Sequence, residues 1–237
     1  MKAPAESRAE HLSLRTGGLS AFALGVMYVA ITVLYVVGGI LPESPTDQLR
    51  QIAEQTTAWW LILGLSVATD LLFLPVMWSL WTVLRRVNAG LVLAGVGLVV
   101  LFVVLDLALT WPNFAVLIGL SDDFAATADD QQRTVLLAAA TYAVAVVSSG
   151  LFAFYAIMMP GLGILMIGLV MLKARYGRVA AVVGIATGVL ATVAVVGSWF
   201  VEAAEAAVIP TSILTTLWVF LVGFTLLRAA RQPATVG

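Results

Sequence analysis

Six apolar runs, each long enough to cross a lipid bilayer as a helix, constrain what this chain can fold into. A helix needs roughly 20 apolar residues to span the hydrocarbon core. The runs lie at about residues 19–41, 58–84, 89–111, 150–172, 179–201 and 206–227. Only 11% of the residues are charged and the mean hydropathy is +1.06, which is too apolar for a water-soluble fold. The sequence therefore predicts an all-α integral membrane bundle of six transmembrane helices.

The charges between these runs sort by sign, and this predicts the orientation of the chain. Basic residues lie before the first run and after the second, fourth and sixth: Lys2, Arg8, Arg15, Arg85, Arg86, Lys173, Arg175, Arg178, Arg228 and Arg231. The other turns are acidic: Glu43, Asp47, Glu54, Asp122, Asp123, Asp129, Asp130, Glu202 and Glu205. Because basic turns favour the cytoplasmic side, we expect both termini inside. Residues 1–17 and 229–237 are then cytoplasmic tails around a single transmembrane domain, residues 18–228.

The segment at residues 112–149 is too apolar for an ordinary loop, and two interpretations compete. In the first, the third and fourth helices extend beyond the membrane and form a helical hairpin on its outer face. In the second, residues 134–149 re-enter the membrane, where protein or water must satisfy their backbone groups. A complete seventh span would put the basic turn at residues 173–178 outside. The charge pattern therefore favours the hairpin.

Two acidic residues are left unexplained by this topology. Of the 13 acids, nine lie in the outer turns and two in the amino-terminal tail, which leaves Asp70 and Asp106 inside apolar runs without a basic partner in any run. An ionised aspartate at the bilayer centre costs about 2.5 to 3.5 kcal/mol, whereas protonating it at neutral pH costs about 4 kcal/mol. Because the two costs are similar, neither charge state is preferred. Both side chains should avoid lipid and face the bundle interior.

Helix geometry places Asp70 and Asp106 roughly 22 and 30 Å from the basic turn between their runs. This predicts that they lie one to two turns apart in height, too far to share a proton directly. Hydroxyl groups could link them, and the candidates are Thr69 and Thr110 on the same runs and Tyr155 on the fourth. These five residues form a predicted site for a proton or a small ligand. The alternative is that both acids are protonated and only fix the register of the helices.

Two prolines inside apolar runs predict helix kinks. Pro75 and Pro160 each lack an N–H group and leave the carbonyl four residues earlier, of Leu71 and Ala156, without its usual donor. A freed carbonyl could line a polar cavity beside the acids. Because proline is common in membrane helices, the bend alone is also a sufficient explanation.

A stripe of small residues predicts close helix packing on the fifth run. Ala180, Gly184 and Gly188 recur every four residues on one helix face, where they let another backbone approach. The neighbour is a helix of the same chain, a second copy of it or another membrane protein. The remaining predicted partner is the lipid bilayer.

The sequence contains no recognisable enzyme motif. It has no HExxH, GxSxG, phosphate-binding loop or dinucleotide-binding pattern, no cysteine, and a single histidine, His11, in the polar tail. We therefore predict no catalytic residue, no metal site and no cofactor. The net charge of -1 and the absence of basic clusters interleaved with aromatics argue against a nucleic-acid partner. An intramembrane hydrolase that uses two aspartates is the one remaining enzyme hypothesis.

Two segments, LWTVLRRVNAGLVLAG and GLGILMIGLVMLKARYGRVAAVVGIATGVLATV, carry a family resemblance. They resemble a large family of uncharacterised bacterial multi-pass membrane proteins, domain of unknown function 4386, in which a long segment also precedes the fourth helix. The resemblance covers about residues 15–230. It implies six helices in a bacterial inner membrane, and it carries no activity or functional residue. Gly177 stands where the family often has a proline.

Three hypotheses of function follow. The first is a non-enzymatic scaffold or interaction subunit with structural acids, which predicts tight packing and one hydrogen bond for each acid. The second is a proton-linked carrier or sensor, which predicts a polar cavity around Asp70 and Asp106. The third is the hydrolase, which needs both carboxyl groups within reach of one water.

Overall fold

The computed structural model describes residues 4–39, 42 and 44–231. Within these residues the chain is all-helical and contains no strand, which confirms the all-α part of the prediction. The α-helices are α1 (Pro4–Gly38), α2 (Pro45–Glu54), α3 (Thr56–Leu105), α4 (Trp111–Ala126), α5 (Asp130–Val147), α6 (Gly150–Ala153), α7 (Met159–Lys173), α8 (Arg178–Ser198) and α9 (Val208–Arg231). Two π-helical turns, π1 (Asp106–Thr110) and π2 (Phe154–Met158), interrupt the α-helices, and a 3-10 turn (Glu202–Ala207) precedes α9.

Among the described residues, five helical stretches are long and apolar enough to cross a membrane. They are His11–Gly38, Thr56–Ala126, Asp130–Lys173, Arg178–Ser198 and Val208–Arg231. The second stretch joins the predicted second and third runs, because no loop separates them. The third joins α5 to α7 through a short break at Ser148 and Ser149. Glu43 and the carboxyl-terminal tail from residue 232 onward lie outside the described residues.

The longest stretch folds back on itself at Asn88. A straight helix of its 71 residues would be about 107 Å long, and the backbone leaves the helical region at Asn88 (φ -157°, ψ 89°). The ring centroids of Phe73 and Phe102, on opposite sides of this residue, lie 6.1 Å apart. Further away, the Thr56 hydroxyl donates a hydrogen bond of 2.8 Å to Asp122. The two arms are therefore antiparallel along their whole length.

The bundle surrounds two clusters of buried apolar side chains. In the first, α1 packs on α3 and α9, and α7 packs on α3 and α8. The second cluster joins α2, α4 and α5 to the end of α1 and the first turns of α3. Here α4 and α5 form a helical hairpin connected by residues 127–129, and α2 packs on α4. Residues 112–149 thus form two helices joined by a short connection.

The small residues of the fifth run pack inside the chain itself. Ala180, Gly184 and Gly188 are all buried on α8. Gly184 lies against the indole of Trp218 on α9, and Gly188 lies against the backbone of Gly161 on α7. This face therefore joins α8 to its two neighbours in the bundle.

The closest approach between α3 and α7 is made by two other glycines. A Cβ atom added to Gly95 would lie 2.8 Å from the carbonyl oxygen of Gly163, and one added to Gly163 would lie 2.6 Å from the carbonyl oxygen of Gly95. Such distances are shorter than carbon and oxygen atoms tolerate, so the two backbones are in direct contact. Only glycine fits at both positions without moving a helix.

We expect Gly95→Ala to destabilise the protein by about 1–3 kcal/mol, because the added methyl group overpacks a backbone contact. Gly97→Ala is the matched control, since a Cβ on Gly97 of the same helix meets nothing within 4 Å. Thermal unfolding of both variants in detergent measures the difference. Equal midpoints for the two variants would contradict the backbone contact.

Candidate functional site

Asp70 and Asp106 are both buried, one on each arm of the α3 hairpin. Their relative exposures are 2% and 5%. Asp106 is the first residue of π1, directly after α3. Among the described residues an ion pair joins the exposed side chains of Arg50 and Asp47 on α2. Neither Asp70 nor Asp106 has a basic partner among these residues, and the sequence likewise places no basic residue in the apolar runs.

Trp111 holds Asp70 in place. Its indole N–H donates a hydrogen bond of 2.6 Å to Oδ2 of Asp70. Trp111 follows π1 directly and begins α4, so it comes from the opposite arm of the hairpin. It was not among the predicted site residues. Distance from the reversal at Asn88 was a partial signal: Trp111 and Asp70 are 23 and 18 residues from it, so their backbones differ in height by about 7.5 Å, which the long indole side chain can span.

Thr110 and Tyr155 lie next to each other in the structure. Their hydroxyl groups are 2.9 Å apart and buried, within hydrogen-bond distance. The contact joins π1 to π2, because Thr110 ends the first turn and Tyr155 lies in the second. Thr69 is buried as well, but its hydroxyl donates to the carbonyl oxygen of Ser66 on its own helix, at 2.7 Å. The structure thus brings Thr110 and Tyr155 beside Asp106, whereas Thr69 bonds to its own backbone.

Asp106 is incompletely hydrogen-bonded. Its Oδ1 atom is buried and has no hydrogen-bond partner among the described residues. Leaving such a group unpaired costs about 1–3 kcal/mol, and more when the group is charged. Buried polar groups without partners are rare in folded proteins. Asp106 therefore differs from Asp70 in having a buried oxygen without a partner.

Both π turns are followed by a proline. Pro112 and Pro160 each come two residues after a π turn, as the second residue of α4 and of α7. In the turns the N–H groups of Trp111 and Met159 donate to the carbonyls five residues earlier, on Asp106 and Phe154. This shift lets the chain pass a residue that has no N–H to donate. The predicted disturbance at Pro160 thus takes the form of a widened turn.

Pro75 lies in a different setting. It is inside α3, in which the one residue with non-helical dihedral angles is Asn88. Its carbonyl oxygen accepts a hydrogen bond of 2.8 Å from the hydroxyl of Ser79. The helix therefore continues through Pro75 to the reversal.

A pocket of about 310 Å³ opens beside the acids, between α1, α7 and α9. Tyr28 of α1 lines it together with Phe73 and Phe102 of the α3 hairpin. Tyr28 packs on Phe73, which lies one helical turn after Asp70 on α3, whereas neither acid lines the pocket. Tyr28 was not among the predicted site residues, because a tyrosine in an apolar run usually only packs against neighbouring helices.

The wall that α9 contributes to this pocket is polar. Four hydroxyl residues line it: Thr211, Ser212, Thr215 and Thr216. Each hydroxyl donates its hydrogen to the carbonyl oxygen four residues earlier on the same helix, at 2.7 to 3.1 Å. Their remaining lone pairs can only accept hydrogen bonds. The pocket therefore suits a mainly apolar ligand that carries hydrogen-bond donors.

Comparison with known proteins confirms the family. The sequence model of a family described as a domain of unknown function (DUF4386) matches residues 23–230. No curated protein and no solved structure matches the chain. The match includes both buried acids, both π turns and the pocket-lining part of α9. The chain therefore belongs to the DUF4386 family, whose activity is unknown.

Proposed function

We propose that this protein is a proton-linked carrier or sensor of the bacterial inner membrane, in which Asp70 and Asp106 form the protonatable site. The observation that carries the proposal is the unpaired Oδ1 atom of Asp106, buried where the two π turns meet. Acids inside membrane helices are rare and are typical of proton and ion pathways. Widened turns are likewise frequent at functional sites.

The proposal includes six transmembrane spans with both termini in the cytoplasm. Six crossings are supported by the reversal at Asn88, which divides one long apolar stretch into two antiparallel arms. The orientation is supported by charge, since Arg85 and Arg86 flank this reversal and three basic residues flank the α7–α8 turn. The acidic α4–α5 hairpin lies at the opposite end of the bundle. It would then be extracytoplasmic.

A proton on Asp106 would change the hydrogen bonding of the site. An ionised carboxylate only accepts hydrogen bonds, whereas a protonated one can also donate. Tyr28 lines the pocket and packs on Phe73, one helical turn from Asp70, so a change in the charge of the acids would act close to a bound ligand. Binding and protonation would then be linked. A ligand with donor groups is the class that the acceptor-lined wall of α9 favours.

A second candidate function is the non-enzymatic scaffold. Asp70 favours it, because this acid is 2% exposed and has one strong hydrogen bond. The pocket favours it as well, because the carrier hypothesis predicts a polar cavity around both acids and neither Asp70 nor Asp106 lines the pocket. The hydrolase has less support, because the indole of Trp111 already occupies an oxygen of Asp70 that a shared water would need. Asp106 is the residue that distinguishes a proton site from a scaffold.

We expect Asp106→Asn to remove a protonation event that the wild-type protein shows across the physiological pH range. The reason is that an amide keeps the shape of the carboxyl group but does not titrate. Infrared difference spectroscopy of the protein in liposomes, recorded between acidic and alkaline buffer, measures the loss of a carboxylic acid band.

Asp123→Asn is the matched control, because Asp123 is exposed on α4 and its signal differs from that of a buried acid. Asp70→Asn tests the second acid in the same way. If wild type and Asp106→Asn gave identical difference spectra, Asp106 would have a fixed charge state and the scaffold would be favoured.

We expect Trp111→Phe to destabilise the fold by about 1–3 kcal/mol, because Asp70 would lose its donor while remaining buried. Trp78→Phe is the control, since Trp78 is 63% exposed on the same arm of the hairpin as Asp70. Denaturant unfolding in detergent compares the two variants. An equally small effect of both would show that the indole hydrogen bond contributes little.

A further inference from the structure

A second pocket, of about 500 Å³, lies where the α7–α8 turn meets the last turns of α9. Three arginines line it: Arg175 in the turn, Arg178 at the start of α8 and Arg228 on α9. Among the described residues no carboxylate lines it, and the sequence has no acidic side chain between Asp130 and Glu202 or after Glu205. The described lining of the pocket is thus positive.

The first turn of α8 adds further donors to this pocket. Arg178, Val179 and Ala180 line the pocket, and the N-cap residue, Gly177, provides no side chain to cap their N–H groups. The first N–H groups of a helix have no partner within the helix, and together with the helix dipole they attract anions. In a helix of 21 residues this adds to the charge of the arginines.

The turn that ends α7 places Arg175 and Tyr176 at the pocket. Arg175 has a φ of 55° because it is the left-handed residue of a helix C-terminal cap, in which the N–H groups of Arg175 and Tyr176 donate to the carbonyl oxygens of Leu172 and Met171. The Tyr176 hydroxyl is buried and has no hydrogen-bond partner among the described residues. Burial raises the pKa of Tyr176 to about 12, so this hydroxyl stays protonated at neutral pH. Tyr176 lines the pocket, so the unpaired donor belongs to its wall.

An apolar surface continues from the arginines along the bundle. Leu221 and Phe224 of α9 and Val179 of α8 line the same pocket. Phe224 and Val179 are 59% and 66% exposed, so they are available to a hydrocarbon chain. A ligand that fits both parts carries an anionic group at one end and an acyl chain at the other.

We propose that this pocket binds the phosphate group of an anionic phospholipid, with the phosphate on the three arginines and an acyl chain along α9. Arginine and helix N-termini are the groups that proteins commonly use for phosphate. Basic pockets between transmembrane helices bind such headgroups in other membrane proteins. A free phosphate would use the same donors, and the apolar wall is what favours the lipid.

The test is native mass spectrometry of the protein in detergent, titrated with phosphatidylglycerol or with phosphatidylcholine. We expect phosphatidylglycerol to bind at least about tenfold more tightly, with a loss of about fivefold for each arginine replaced by glutamine in Arg175→Gln and Arg228→Gln. Arg85→Gln is the matched control, because Arg85 is a basic residue that does not line the pocket. Equal affinity for the two lipids, or equal binding by variants and control, would overturn the proposal.

Arg175→Gly separates binding from folding. Glycine adopts a φ of 55° without strain, so this variant should unfold at the same temperature as wild type or higher. Its affinity for phosphatidylglycerol should nevertheless fall by about fivefold. Unchanged lipid affinity in this variant would contradict the role of Arg175.

Competition with inorganic phosphate tests whether the pocket binds a phospholipid or a free phosphate. If millimolar inorganic phosphate does not displace phosphatidylglycerol, the lipid is the ligand. The lipid proposal would be wrong if inorganic phosphate displaced phosphatidylglycerol and if, without inorganic phosphate, phosphatidylglycerol bound no better than phosphatidylcholine. A soluble phosphate compound would then be the ligand.

Discussion

The packing of the two arms of α3 against each other is the interaction on which the candidate site depends. Phe73 and Phe102 pack edge to face across the hairpin, and Tyr28 packs on Phe73 from α1. A slip of one helical turn would move one arm by about 5.4 Å along the other. That is twice the length of the hydrogen bond between Trp111 and Asp70, which is 2.6 Å. The aromatic contacts therefore fix the register in which the acids have their neighbours.

Some residues of this site could be predicted from the sequence, because placing a polar side chain in the hydrocarbon core of a membrane costs free energy. Asp70 and Asp106 stand out because a carboxyl group is expensive in a membrane whatever the arrangement of helices. Thr110 and Tyr155 were identified because they lie near the depth of the acids, and the structure pairs them. Thr69 met the same criterion, yet its hydroxyl bonds to the backbone of its own helix, as hydroxyl groups in helices often do.

The parts that could not be predicted depend on rotation of the helices about their axes. A π turn contains an extra residue, which turns the following helix by roughly 100° relative to an uninterrupted one. This rotation decides that Trp111 points to Asp70 and that Thr110 points to Tyr155. Pro112 and Pro160 both predict a disturbed helix, since each removes an N–H donor. The sequence does not determine whether the disturbance is a bend or a widened turn.

Tyr28 has a further consequence for how the molecule behaves as a whole. It is partly buried, and it packs against both the cluster inside the bundle and the cluster beneath the α4–α5 hairpin. The two clusters otherwise have separate sets of side chains, although the continuous helices α1 and α3 contribute to both. A displacement of this one ring would disturb the packing of both. Tyr28 thus links the packing of the bundle interior to that of the α4–α5 hairpin.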